Sequence, residues 1–139
     1  MQPTYDDANL ILRLYEMRRE ATMRDARTWF ASSCKPQSFE DLLKEVAPAG
    51  TLHNAYYRQV TTYWEMVAGF VASGVLNKEL FFQSGMELLF VWVRIGKIVP
   101  DARSTFGNPK MLRNLESVAT DFIAWLGQDA YEAFAKRVG

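Results

Sequence analysis

The sequence has one cysteine and one histidine. A lone Cys34 excludes an intramolecular disulfide and fits a reducing compartment, so the expected location is the cytoplasm. Cys34 and His53 together give no ligand spacing, and a closed structural zinc site needs four donors; no metal and no cofactor are expected. Charge of either sign is not in excess: sixteen basic residues balance sixteen acidic ones. That removes the broad basic field expected of a nucleic-acid or anionic-membrane surface. Long apolar runs are missing as well. Leu88 to Val93 is the most apolar window, far short of the ~18 residues that a membrane span requires. The start, Met1-Gln2-Pro3-Thr4, has no basic region followed by an apolar run, so no secretory signal is expected. There is no phosphate-cradling glycine loop, no serine elbow, no internal repeat and no β-type alternation.

The chain is rich in apolar and aromatic residues at helical spacing: 49% hydrophobic and 14% aromatic over 139 residues. This suffices for a packed core without staples, and the chain reads as one domain, residues 1–139. The stretch Leu52 to Ile98 organises the rest. It holds Trp64, Trp92, Phe70, Phe81, Phe82 and Phe90. It reads as a central antiparallel pair of helices, Leu52–Gly74 and Asn77–Ile98, with Gly74 ending the first and Asn77 capping the second. On the first, Tyr56, Tyr57, Val60, Tyr63, Trp64, Val67, Phe70 and Val71 share one side. Arg58, Thr62, Glu65, Gly69 and Ser73 share the other, which is expected to be wet. The second is apolar around most of its circumference, with Gln83, Glu87 and Arg94 confined to a narrow stripe. It is therefore expected to be the buried central helix.

Before this pair, Thr4-Tyr5-Asp6-Asp7 has the form of a capping box. The pattern that follows predicts one helix to about Phe30, about 40 Å long. Ser38 caps a short helix, Phe39 to Ala47. After the pair, Val99 to Gly107 reads as a break and a polar stretch. Asn108-Pro109 reads as the start of a fifth helix ending at Gly127, and a short sixth helix carries Tyr131, Phe134, Ala135 and Val138 on one side. The fold class is all-α, a bundle of five or six helices.

Three segments carry a family resemblance: Leu14-Tyr15-Glu16-Met17-Arg18-Arg19, the run Tyr63 to Leu76, and Leu88 to Ile95. Together they resemble a bacterial all-helical family of unknown function. Many members of that family carry an N-terminal membrane helix, which this sequence does not show. The resemblance implies a helical bundle and implies no activity and no catalytic residue.

Among single residues, His53 reads as structural, since it has no partner ligand. Cys34 sits in a loop beside Lys35, which favours the thiolate, and without a nearby histidine it reads as an incidental thiol. Glu87 and Arg94 share the polar stripe but lie about 10.5 Å apart along a helix axis, too far for a direct pair. Arg19 is expected to reach Glu87. Either this stripe is solvated, or Arg19, Glu87, Trp92 and Arg94 line a small ligand pocket. The segment Leu10 to Tyr15 has apolar residues on more faces than one neighbour covers, so Leu10, Ile11, Leu14 and Tyr15 are the expected interface of a homodimer. The leading expectation is a non-enzymatic, self-associating interaction module without nucleic-acid partners. The alternative is a small-ligand-binding or sensory domain, and an enzyme ranks last because no acid–base or metal constellation is visible.

Overall fold

A computed structural model describes residues 1–139. The chain is all-helical and contains no strand. It folds into α1 (Tyr5–Arg18), α2 (Ala21–Ser33), α3 (Phe39–Val46), α4 (Leu52–Ala72), α5 (Lys78–Phe82), α6 (Met86–Ile95), α7 (Val99–Phe106), α8 (Arg113–Leu126) and α9 (Gln128–Val138), with a 3-10 turn at Gly96–Ile98. No helix is long and apolar enough to cross a membrane.

Several local signals are realised as read. Thr4 and Asp7 form the reciprocal capping box. Ser38 accepts from the Asp41 N–H, and Asn77 from the Leu80 N–H. Gly74 adopts φ +82° just past α4, the left-handed conformation in which a Cβ is strained.

The helix count differs from five or six because two expected long helices are cut. The N-terminal one breaks at Arg19-Glu20. Glu20 is extended there, and its carboxylate accepts from the Thr22 and Met23 N–H groups, so it starts a new helix. The expected Asn77–Ile98 helix breaks at Gln83-Ser84-Gly85. The Phe81 ring lies across Gly85, where an added Cβ would come within 2.5 Å of it. Both pieces, α5 and α6, still pack on α4. The polar stretch after Ile98 is a helix too, α7, with Pro100 in its first turn, where no N–H is needed.

The centre of the bundle is α4 and not the expected Asn77–Ile98 helix. Its strongest packing is against α2 and α8, and it also touches α3, α5 and α6. Val67 and Ala68 are completely buried on it. The side expected to be wet is partly spent on α8. Glu65 accepts there from the Asn114 and Leu115 N–H groups, at 3.2 and 2.7 Å. This capping from another helix moves the start of α8 from Asn108-Pro109 to Arg113. It also holds Leu112 at φ +54°, a left-handed conformation that costs a non-glycine residue about 1–2 kcal/mol. One cluster of buried apolar side chains runs from Leu14 to Phe134 and ties all these elements together.

Candidate functional site

The N-terminal helix α1 is the element least absorbed into this core. Its inner stripe follows helical spacing through Asp7, Ile11, Leu14 and Arg18. Two ties fix its ends. At the first turn, the Asp7 carboxylate accepts from the Asn77 N–H at 2.8 Å, and Asn77 Nδ2 donates to the Met1 carbonyl. The N–H groups of Thr4 and Asn77 hold the Asp7 carboxyl below the usual carboxylate range. This tie is therefore complete above the ordinary carboxylate pKa and weakens as pH falls through the lowered one. At the far end, Tyr63 Oη donates to the Leu14 carbonyl. Burial pushes the Tyr63 phenol up to about 12, which keeps it a donor across the neutral range.

Between these ties lies a groove of about 330 Å³. Ile11, Leu12, Leu14 and Tyr15 form its α1 side, and Trp64, Val67 and Phe81 form much of its opposite wall. Arg18 stands at the end of α1, its guanidinium 4.8 Å from the Tyr15 ring and 5.5 Å from the Trp64 ring.

Next to the groove is a three-residue charge node. Arg27 binds Glu87 through two hydrogen bonds, 2.6 Å from Nε and 2.7 Å from Nη2, the forked geometry in which guanidinium and carboxylate match. Glu87 holds the Arg27 guanidinium more firmly protonated than usual. Arg18 adds one long contact to Glu87, at 3.4 Å. Arg19, expected at this carboxylate, is exposed and lies over Tyr15 instead. The Ile11–Leu14 spacing continues to Arg18, so one residue further along turns the side chain about 100° away. Arg27 carried no comparable sequence signal, because its approach depends on the break at Glu20.

Glu87 and Arg94 have separate surroundings. Glu87 lines a cleft of about 320 Å³ with Arg24, Arg27 and Phe90, and neither Arg94 nor Trp92 lines it. Arg94 is 6% exposed and points the other way. It donates to the carbonyls of Phe30, Ala31, Cys34 and Val138, at the ends of α2 and α9. Trp92 is half-buried, against Gly96.

His53 stacks on Trp29 with ring centroids 5.2 Å apart, and its Nδ1 lies 3.0 Å from Glu45. Cys34 lies in the loop that follows α2, as read, and is 1% exposed there. Burial pushes its thiol up to about 12 despite the Arg94 guanidinium, which acts in the opposite direction. The effect expected of Lys35 is overridden. A thiol reagent at neutral pH is expected to leave Cys34 untouched in the folded chain and to modify it fully in denaturant. Rapid labelling of the native chain would show that α2 and α3 open there.

Of the expected interface residues, Leu14 is buried in its own chain and Leu10 and Ile11 are half-buried against it. Tyr15 is open. A second stripe at alternating three- and four-residue spacing, Tyr5, Ala8, Leu12 and Tyr15, lies about 110° round the helix from the inner one. Tyr5, Leu12 and Tyr15 on it are 91%, 61% and 51% exposed.

Residues 3–122 match the model of a protein family described as a domain of unknown function (DUF4760). No curated protein and no solved structure matches the chain.

Proposed function

We propose that this chain, which belongs to the DUF4760 family, is a non-enzymatic helical interaction module that self-associates as a two-fold dimer through α1. The observation that carries this reading is the open stripe of Tyr5, Leu12 and Tyr15. Apolar surface left in water costs about 25 cal/mol per Å², and the spacing of this stripe is that of a helix–helix seam. A second copy suits it because the stripe is self-complementary: two copies crossing antiparallel near Leu12 place Tyr5 of each beside Arg19 of the other, ring against guanidinium. A formal net charge of zero leaves no overall repulsion between copies. The same balance suits a protein partner better than nucleic acid, and the lone cysteine suits a reducing compartment such as the cytoplasm.

Light scattering at micromolar concentration tests the reading. The expected mass is twice the 15.9 kDa of the chain. The double variant Leu12→Glu with Tyr15→Glu is expected to be monomeric with unchanged helical circular dichroism, since both residues are exposed. A wild-type monomer would refute self-association, and a folded double variant that stays dimeric would remove α1 from the interface.

A further inference from the structure

We propose that the groove beneath α1 binds a single-chain amphiphile with an anionic head, its chain along Ile11, Leu14, Trp64 and Phe81 and its head on Arg18. Three observations converge on this chemistry. The first is shape and polarity: about 330 Å³ lies at the lower end of the range of small-ligand pockets, and most of the lining is apolar. Covering apolar surface of this kind with an alkyl chain gains about 25 cal/mol per Å² removed from water. The second is charge. Arg18 and Arg27 face a single carboxylate, Glu87, so the node carries one uncompensated positive charge. Arg27 makes the two short bonds to Glu87. Arg18 makes one at 3.4 Å, and its remaining N–H groups are free to take a carboxylate or phosphate oxygen. The third is Trp64, a wall of the groove that is 2% exposed and whose Nε1 has no hydrogen-bond partner. A buried donor left without an acceptor is uncommon; Arg18 lies 5.5 Å from this ring, so the anionic head placed on Arg18, not the chain, is what brings acceptor oxygens near it.

The groove is open along the exposed Leu12 and Tyr15 side of α1, so such a ligand can enter without displacing the helix. Leu12 and Tyr15 belong both to the α1 side of this groove and to the stripe proposed for self-association, while the chain and head contacts used here are those of Ile11, Leu14, Arg18, Trp64 and Phe81, so mass and ligand binding are read separately.

The experiment is a calorimetric titration of the full chain with decanoate, decanol and anionic phospholipid vesicles, with the mass measured in the same buffer. Decanoate is expected to bind once per chain, about tenfold or more tighter than decanol, the worth of one charge-assisted contact. Arg18→Gln is expected to abolish that preference while leaving decanol binding as it was. A bromine-tagged decanoate is expected to quench tryptophan emission in the wild type, and much less in Trp64→Phe. Ser84→Trp, a change at an exposed position on the groove rim, is expected to block decanoate in a chain with unchanged circular dichroism. Equal binding of decanol and decanoate, no binding of either, or an undiminished preference in Arg18→Gln would overturn the proposal. Binding to vesicles without binding of free decanoate would also overturn it, in favour of a membrane surface. A monomer that binds decanoate refutes only the dimer, and a dimer that ignores decanoate refutes only the groove.

Discussion

Arg94→Met is expected to lower the unfolding free energy by about 3–5 kcal/mol, because four carbonyls lose a charged donor and a buried polar group left unsatisfied costs about 1–3 kcal/mol. Methionine keeps much of the side-chain volume and removes all the donors. The Arg94 guanidinium bridges two helix ends: the carbonyls of Phe30, Ala31 and Cys34 where α2 finishes, and that of Val138 at the end of α9. The last carbonyls of a helix lack intrahelical partners and carry partial negative charge, so a cation between two such ends satisfies both at once. The Phe90 ring, 4.6 Å from the guanidinium carbon, covers it further. Burial makes Arg94 easier to deprotonate than usual, yet a guanidinium stays charged at any pH at which the chain folds. Arg94→Lys is expected to recover only part of the loss, because a compact ammonium cannot fork between two helix ends. Urea unfolding of the three proteins measures this. A loss under about 1 kcal/mol for Arg94→Met would mean that water replaces the guanidinium without penalty and that the bridge is incidental.

Phe122→Ala is expected to cost about 3–5 kcal/mol, through lost transfer energy plus the cavity left behind. Phe122 is fully buried on α8. Its ring centroid lies 4.4 Å from that of Phe82, 5.8 Å from Trp125 and 6.5 Å from Phe81. It thus fastens α8 to the short helix α5, which at five residues is too short to hold its shape alone. Trp125→Ala in the same cluster is expected to cost clearly less, because Trp125 is 42% exposed. Denaturant unfolding followed by near-ultraviolet circular dichroism would show both effects. If Trp125→Ala proved the more damaging, the cluster would be centred nearer the surface than its geometry indicates.

Much of the architecture is legible in the residues, and the reason differs from element to element. Helix starts at Thr4, Ser38 and Asn77 are readable because the capping side chain binds a backbone N–H three residues away, which is a local event. The buried face of α4 is readable because Val60, Trp64, Val67 and Val71 repeat at the helical period. The all-helical class follows from the same periodicity over the whole chain.

The candidate site is less legible, because each of its contacts joins residues far apart in sequence. Apolar content from Leu80 to Ile95 continues with little interruption, so nothing local announces that Phe81 folds over Gly85 and cuts the helix. Glu65 reads as a solvated residue on a wet face until α8 arrives to place two N–H groups on it. Glu87 has several arginines within reach of a helical wheel, and only the kink at Glu20 brings Arg27 to it in place of Arg19. The sequence alone determined the all-helical class, the helix starts at Thr4, Ser38 and Asn77 and the apolar face of α4, since these depend on hydrogen bonds and periodicity within a few residues. Tertiary structure alone decided which helix is central, which charges meet and where a groove stays open, since these depend on how rigid pieces of fixed length fit against one another.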